Sequence, residues 1–311
     1  MGTILALAAA ILYGSADFLG GAAARRARPV DVLAVTTSAG AVVVVLSALV
    51  FDLTGLGGHG LASGAGGGGL AWGAAGGLAG VVGLLFFYFG FSVAPMSVVA
   101  PVSALASTLL PLGVAIAQGE RPGPGVIAGG LICLAAVVLV SMEGSAGGPG
   151  GAGGPGGAGG GRSLAYRLRG AGFGLASGVM FGLFFLFFRN AGTSGVLWPV
   201  ALARIAGAAL ACLVWLLARK PGMSRLNPDR PAGALRAVLP LALTSGAGDA
   251  AANVCYVLAT RSGLFGIAVV ITALYPGMTV LLARFVLGER MRLIQRIGLV
   301  LAGAGVVLVT L

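Results

Sequence analysis

The sequence has little of the material from which most active sites are built. It contains one histidine, three cysteines and only 9% charged residues. Cys133, Cys212 and Cys255 show no metal-binding or redox spacing, and His59 has no candidate co-ligand near it in the sequence. Neither a metal centre nor a disulfide framework is therefore predicted. Nucleophile motifs, phosphate-binding glycine loops and paired catalytic carboxylates are also missing, so we expect no enzyme activity and no cofactor.

Hydrophobic residues fill the rest of the chain. They make up 58% of the sequence, and the mean hydropathy is +1.04. Such a chain cannot form a water-soluble surface, and its charge-poor stretches are long enough to cross a hydrocarbon core of about 30 Å, which takes about 20 helical residues. A membrane β-barrel would instead show short strands of alternating polarity, and that alternation is absent. The predicted fold class is an all-α integral membrane protein.

Apolar runs bounded by charges, turns or Gly/Pro clusters predict ten membrane spans. Short connections at Ser92–Pro95 and Arg261–Gly263 predict two tight helical hairpins. Small residues at every fourth position from Gly2 to Gly14, and again from Gly170 to Gly182, predict helix faces that pack closely against a neighbour. The predicted spans are residues 3–22, 31–52, 70–92, 95–117, 123–142, 168–188, 197–218, 236–258, 263–286 and 292–311.

The same five-span pattern occurs twice, with corresponding residues about 168 positions apart. Gly119-Glu120-Arg121 recurs as Gly288-Glu289-Arg290, each time before the last span of its half, and Tyr88 corresponds to Tyr256. A duplicated membrane unit is the expected architecture of a secondary transporter. The predicted domains are a first five-helix repeat at 1–143, a flexible Gly/Pro-rich linker at 144–163 and a second five-helix repeat at 164–311.

The net charge of +11 would suggest a nucleic-acid partner in a soluble domain, but the basic residues lie in alternate loops. The even-numbered loops hold only Arg121, Arg189 and Arg261. The positive-inside rule therefore predicts that the odd loops are cytoplasmic, that both termini are outside, and that the second repeat is inverted relative to the first. The odd loops and their borders hold Arg25, Arg26, Arg28, Arg162, Arg167, Arg169, Arg219, Lys220, Arg225, Arg230, Arg236, Arg290, Arg292 and Arg296.

Polar residues at membrane depth indicate where the chain binds its substrate. An ionised side chain there costs about 2.5 to 3.5 kcal/mol on insertion scales. Asp249 lies near the middle of span eight, with Asn253 and Tyr256 on the same helical face. Asp249 is the leading candidate for binding substrate or a proton. The alternative is a structural ion pair with Arg204 in span seven, and both roles are compatible with one residue.

Asp17 in span one is a second candidate, although it lies close enough to the basic end of its span to reach Arg25 or interfacial water. Its repeat equivalent is the apolar Phe185, so the duplication did not preserve this charge. The hydroxyls of four membrane-span tyrosines are further candidates to line a cavity, although tyrosines in membrane helices also occur at the interface or packed between helices. These residues are Tyr13, Tyr88, Tyr256 and Tyr275.

Prolines at membrane depth predict helix breaks near a cavity. Pro101 and Pro111 fall within span four, and Pro276 falls within span nine. Each proline removes an amide donor and disrupts the carbonyl one turn earlier. Freed carbonyls are tolerated where they face protein or water, and transporters bind cargo at such broken helices. Simple kinks that improve packing are the alternative.

Two five-helix halves, each with a Gly-Glu-Arg turn before its final helix, resemble the EamA group of the drug/metabolite transporter superfamily. The segments Leu12–Phe18, Leu287–Arg290 and Gly298–Gly303 are similar to helix patterns of that group. The resemblance implies a ten-helix basket with a pseudo-twofold axis in the membrane plane and a cavity between the halves. It also implies transport of small metabolites by alternating access. Many members keep both termini in the cytoplasm, which differs from the orientation that the arginines predict.

These observations predict a secondary transporter in the cytoplasmic (inner) cell membrane. Its expected partners are a small polar or amphipathic solute and membrane lipids, with no nucleic acid; a homodimer is left open. Coupling to a proton depends on whether Asp249 is paired with Arg204. The alternative is a flippase for a lipid or polyprenol carrier on the same scaffold, which transport assays with lipid and water-soluble cargo would distinguish.

Overall fold

The computed structural model describes residues 2–53, 67–94, 96–119, 123–141, 159–190, 197–219, 234–261, 265–272, 274–287 and 293–310. All regular secondary structure in these ranges is α-helical, in agreement with the predicted all-α class. The predicted linker up to residue 158, His59 and both Gly-Glu-Arg turns apart from Gly119 lie outside the described residues.

Ten predicted spans correspond to eleven described helices, because span nine is divided between two helices and every other predicted span overlaps one. The helices are α1 (Gly2–Arg26), α2 (Pro29–Leu53), α3 (Gly67–Val93), α4 (Met96–Ala117), α5 (Pro124–Ser141), α6 (Gly159–Asn190), α7 (Leu197–Ala218), α8 (Ala234–Arg261), α9 (Phe265–Thr272), α10 (Tyr275–Leu287) and α11 (Leu293–Thr310).

Five of the described helices are long and apolar enough to cross a membrane. The qualifying segments lie in α1, α2, α3, α6 and α7, while α4, α5 and α11 contain shorter apolar stretches. The helix α8 is long enough, but polar residues such as Asp249 and Asn253 lower its mean hydropathy. These features identify an integral multi-pass membrane protein; the count of ten spans stays a prediction.

Proline and glycine explain where several helices begin and end. Pro29 and Pro124 are the first residues of α2 and α5, where the missing amide hydrogen breaks no helical bond and the fixed φ suits a helix. Gly119 follows the end of α4 with a φ of 92°, a left-handed conformation that glycine adopts without steric cost. Its amide donates to the Ile116 carbonyl at 2.9 Å.

Helices of the first half pack mainly against helices of the second half. The helix α1 packs along α8 and also contacts α9 and α10, while α6 packs along both α3 and α4. The helices α2 and α7 contact each other; α2 also contacts α8, and α7 also contacts α3. The last helices of the two halves, α5 and α11, pack together.

Glycine faces bring several of these helices into backbone contact. A Cβ on Gly14 of α1 would overlap the Tyr275 carbonyl of α10, and a Cβ on Gly178 of α6 would overlap the Ser103 carbonyl of α4. A Cβ on Gly174 would lie 2.8 Å from the Val99 carbonyl. The prediction that the small-residue stripes pack against neighbouring helices is therefore confirmed at these positions, where a larger side chain would separate the helices.

Two apolar clusters lie towards opposite ends of the helices. The Tyr256 cluster includes Tyr13, Phe185, Val200 and Tyr256, and it involves the early part of α1 and the late part of α8. The Tyr88 cluster involves the late part of α1, the start of α2 and the early part of α8. Its larger buried members are Leu33, Phe87, Tyr88, Phe91, Val99 and Val238. Asp17, Arg204 and Asp249 lie between these clusters along α1, α7 and α8.

Candidate functional site

A cavity of about 80 Å³ lies among α1, α2, α3, α4, α6, α7, α8 and α10. A buried water needs about 10–15 Å³ of such space, so the cavity has room for a few waters or a small polar group. Its apolar wall includes Phe181, Phe184 and Phe185 of α6 together with glycines of α3. Its polar lining consists of Tyr13, Asp17, Thr37, Ser107, Arg204, Asp249, Asn253 and Tyr275.

Arg204 and Asp249 form an ion pair across the interface between α7 and α8. One guanidinium nitrogen of Arg204 donates to the Asp249 carboxylate, and the other donates to the Asp249 backbone carbonyl at 3.0 Å. The side chain of Arg204 is 12% exposed and that of Asp249 is 28% exposed. The ion pair that the sequence offered as the structural alternative is therefore present, and both of its members also line the cavity.

Asn253 extends this polar group by one helical turn. Its side-chain amide donates to the same Asp249 carbonyl at 2.7 Å, so that oxygen accepts hydrogen bonds from two side chains. The Asn253 side-chain oxygen is buried and has no hydrogen-bond partner among the described residues. Because a buried acceptor without a partner costs free energy, this oxygen is available to a donor that enters the cavity.

Asp17 places a second carboxylate in the same cavity. Among the described residues Asp17 has neither an ion pair nor a hydrogen bond. Asp249 is the charged residue that interacts with it electrostatically, and the two carboxylates repel each other when both are ionised. The structure places Asp17 in the wall of the cavity, and among the described residues it makes no ion pair with Arg25. With all three groups ionised, two carboxylates and one guanidinium give the cavity a net charge of about −1.

Tyr13 and Tyr275 form the aromatic edge of the cavity. Their rings meet edge to face, with centroids 6.4 Å apart, and both hydroxyls are buried without a hydrogen-bond partner among the described residues. A tyrosine hydroxyl can both donate and accept. Together with the Asn253 oxygen, these hydroxyls give a polar cargo hydrogen-bonding groups next to the carboxylates.

Tyr88 and Tyr256, which the sequence also suggested, do not line the cavity. Tyr88 is buried in its apolar cluster, where its hydroxyl lies beside Gly20 and near Ser245. Tyr256 packs against Phe185 with ring centroids 4.6 Å apart. Both are 1% exposed. In this conformation the two repeat-equivalent tyrosines belong to the packed clusters on either side of the cavity and do not contribute to its wall.

The three predicted helix breaks have different outcomes. The helix α4 runs from Met96 to Ala117 without interruption, so Pro101 and Pro111 do not divide it, because a continuous helix tolerates proline when the lost bond is compensated locally. Span nine is interrupted between α9 and α10, directly before Pro276. The Leu274 amide there donates to the Ile271 carbonyl at 3.1 Å, a tighter turn than an α-helix has.

Sequence reasoning missed part of the cavity wall. Thr37 of α2 and Ser107 of α4 line the cavity, but single hydroxyl residues in apolar spans carry no distinctive pattern. The phenylalanines of α6 had a detectable signal, because Phe181, Phe184, Phe185 and Phe188 follow helical spacing on one face. That spacing predicts an aromatic stripe, although it does not tell whether the stripe faces lipid, protein or a cavity.

Comparison with known proteins supports the resemblance drawn from the sequence. Residues 168–311 match the EamA-like transporter family, which confirms the resemblance over the second half of the chain. Among curated proteins, no sequence matches this chain at a significant level. One solved crystal structure aligns with 99% of this chain and 96% of its own, with a TM-score of 0.69 and 21% identity. At that identity the likeness shows the fold alone.

Proposed function

We propose that the chain, whose residues 168–311 match the EamA-like transporter family, is a secondary transporter whose cavity carries a small solute with a cationic group. The proposal includes ten spans, two inverted five-helix repeats and a location in the cytoplasmic membrane. The observation that carries the choice of cargo is that Asp17 and Asp249 share one cavity in which, among the described residues, Arg204 supplies the single guanidinium.

The helix packing supports the two-repeat part of this proposal. If each helix is exchanged for its repeat equivalent, the contact of α1 with α8 becomes that of α6 with α3, and both are observed. The contact of α4 with α6 likewise becomes that of α9 and α10 with α1. The contact of α2 with α8 becomes that of α7 with α3. The pairs α2–α7 and α5–α11 map onto themselves, as expected for helices beside a twofold axis.

The two tyrosine clusters support the inversion independently. Tyr88 and Tyr256 occupy corresponding positions of the two repeats, yet they lie in clusters towards opposite ends of the helix bundle. A parallel repeat would bring equivalent residues to the same end, whereas an inverted repeat brings them to opposite ends. Alternating access then requires that one cluster loosens while the other stays packed.

The charges of the cavity favour a cationic cargo or a proton. An ionised carboxylate without a counter-ion is costly at membrane depth, and Asp17 has no ion-pair or hydrogen-bond partner among the described residues. A cationic group or a proton that binds between Asp17 and Asp249 would neutralise the excess charge. An anionic solute would have to displace the Asp249 carboxylate from Arg204.

The size of the cavity indicates what must move. About 80 Å³ accommodates a few waters, so a larger solute enters only when the helices around the cavity separate. The close glycine contacts of α1 with α10 and of α6 with α4 allow helices to slide past each other without unlocking large side chains. The helix pairs α1–α10 and α6–α4 are equivalent in the two repeats. The same sliding motion could therefore open the cavity alternately to each side of the membrane.

Uptake into liposomes tests the proposal. We expect purified protein to exchange labelled amines, polyamines or basic amino acids, and to be stabilised against heat by those it transports, because a ligand of the folded state raises stability. Transport of acidic solutes only would contradict the charge argument. Movement of labelled lipid or polyprenol phosphate without solute exchange would favour the flippase alternative.

A charge series makes this test specific to the cavity. Asp17→Asn removes the excess negative charge and is expected to lower cation uptake at least tenfold, while Arg204→Gln combined with Asp249→Asn keeps the net charge of the cavity and retains more uptake than Asp249→Asn alone. Arg169→Gln on the exposed start of α6 is the matched control. Unchanged uptake and unchanged pH dependence in correctly folded Asp17→Asn would overturn the assignment.

A further inference from the structure

A second concave surface lies on the outside of the bundle, away from the charged cavity. It is formed by α2, α7 and α8 and encloses about 720 Å³. We call it the α2–α7–α8 groove. Val42, Val43, Leu239 and Leu243 line it, and each is more than one third exposed. Its wall is apolar for most of its length, with Asp31 and Trp215 at one end.

The length of the groove matches one leaflet of a membrane. Along α2 it extends from Asp31 to Val43, which is twelve helical steps or about 18 Å. Half of a hydrocarbon core of about 30 Å is about 15 Å. On α8 the leucines at 235, 239 and 243 recur every fourth residue and form a continuous apolar edge along the same direction.

At the polar end of the groove, Trp215 contacts both Asp31 and Arg219. The Trp215 indole nitrogen donates to a carboxylate oxygen of Asp31 at 3.0 Å. The guanidinium carbon of Arg219 lies 3.8 Å from the centre of the Trp215 ring, which is a cation–π distance. Tryptophan and arginine are typical of the boundary between hydrocarbon and headgroups, so this end lies at the membrane surface.

The charge at that end is positive. Arg219 and Arg236 are exposed, and Arg28 precedes Asp31 by three residues, so the helix ends that meet here carry three arginines and one aspartate. Arg236 also lies in the first turn of α8, where free backbone amides add positive potential. An anionic phosphate is therefore attracted to the same end at which an acyl chain would leave the groove.

We propose that the α2–α7–α8 groove is a binding site for an anionic phospholipid. One acyl chain lies along Val42, Val43, Leu239 and Leu243, and the phosphate contacts Arg219 and Arg236. A headgroup hydroxyl, such as that of phosphatidylglycerol, donates to the Asp31 carboxylate, whose other neighbour is the Trp215 indole. The groove is separate from the cavity, so the lipid site does not depend on the proposed transport function.

Fluorescence of Trp215 tests this site directly. The chain has three tryptophans, so Trp72→Phe with Trp198→Phe leaves Trp215 as the reporter. Reconstituted into vesicles of phosphatidylcholine with increasing brominated lipid, this variant should be quenched at a several-fold lower mole fraction of brominated phosphatidylglycerol than of brominated phosphatidylcholine. Equal quenching by the two lipids would show ordinary contact with bulk lipid and would overturn the proposal.

Arginine substitutions supply the control. Arg219→Gln combined with Arg236→Gln should abolish the preference for phosphatidylglycerol, while Arg169→Gln removes an exposed arginine elsewhere and should keep it. A preference that survives the paired substitution would overturn the site. If the single-tryptophan variant does not fold, native mass spectrometry can measure the lipid that the chain with all three tryptophans retains. We then expect the Arg219→Gln and Arg236→Gln paired variant to retain several-fold less phosphatidylglycerol, and equal retention would overturn the site.

Discussion

The Arg204 guanidinium binds Asp249 twice, through the carboxylate and through the backbone carbonyl of the same residue. The carboxylate interaction depends on charge, whereas the carbonyl interaction persists when the carboxylate is neutral or engaged by another cation. Arg204 can therefore stay in position while Asp249 changes its electrostatic state. This arrangement reconciles the structural and the functional interpretation of the pair, because one contact fixes the helices and the other faces the cavity.

The stability of the pair can be measured with single and double substitutions. We expect Asp249→Asn or Arg204→Gln alone to destabilise the protein by about 1–3 kcal/mol, less than the 3–5 kcal/mol typical of fully buried pairs, because both side chains are partly exposed. The double variant should be less destabilised than the sum of the two single variants. Thermal unfolding in detergent provides the measurement, and simple additivity would show that the pair is not coupled.

Substitution of the cavity tyrosines distinguishes an effect on solute binding from an effect on folding stability. Tyr13→Phe and Tyr275→Phe remove buried hydroxyls that lack partners, so each should change unfolding stability by less than about 1 kcal/mol while weakening solute binding up to tenfold. Tyr256→Phe is the matched control, since its hydroxyl is also buried without a described partner but lies outside the cavity. Equal effects of all three substitutions on solute binding would contradict the assignment of the cavity.

The close contact between α6 and α4 can be tested with two glycines of one helix. Gly178→Ala places a methyl group against the Ser103 carbonyl, whereas a methyl group at Gly172 meets nothing within 4 Å. We expect Gly178→Ala to destabilise the fold by about 1–3 kcal/mol through overpacking, and Gly172→Ala to be neutral or stabilising by up to about 1 kcal/mol. The difference in melting temperature between the variants is the readout, and equal values would contradict the close packing.

The proposed inverted arrangement predicts opposite exposure of two equivalent helix ends. After replacement of the native cysteines, single cysteines at Arg26 and Asn190, the ends of α1 and α6, are labelled with a membrane-impermeant thiol reagent. Both positions are exposed in the structure. We expect the reagent to label them from opposite sides of the membrane, with Arg26 on the cytoplasmic side. Labelling from the same side would contradict the inverted repeat. The native cysteines are Cys133, Cys212 and Cys255.

Residues whose presence is costly in a membrane were the most predictable part of the site. Asp17, Arg204, Asp249 and Asn253 all line the cavity, because few other environments at that depth tolerate such groups. The pair of Arg204 with Asp249 was one of two alternatives that the sequence offered, since Arg204 lies inside the neighbouring predicted span. The all-α class and the family resemblance over the second half rested on equally strong signals of composition and repetition.

Neutral residues were harder to place from the sequence. Tyr88 and Tyr256 occur at corresponding positions of the repeats, but a tyrosine fits a cavity, an interface or a packed cluster, and only the rotation of its helix decides among them. Pro101 illustrates the same limit for the backbone, because the sequence cannot tell whether a proline bends a helix or divides it. The interruption before Pro276 depends on the packing of α9 and α10 between other helices.

The opposite positions of Tyr88 and Tyr256 have an evolutionary consequence. Under the proposed inverted repeat, a single ancestral segment that was copied and turned over equips both faces of the bilayer with a seal of common origin. Each copy then accumulates substitutions on its own, so a change at Tyr88 alters the barrier on one face and leaves the other as it was. Neutral substitutions in either copy are therefore sufficient to change the equilibrium between the two open conformations of the solute-free protein.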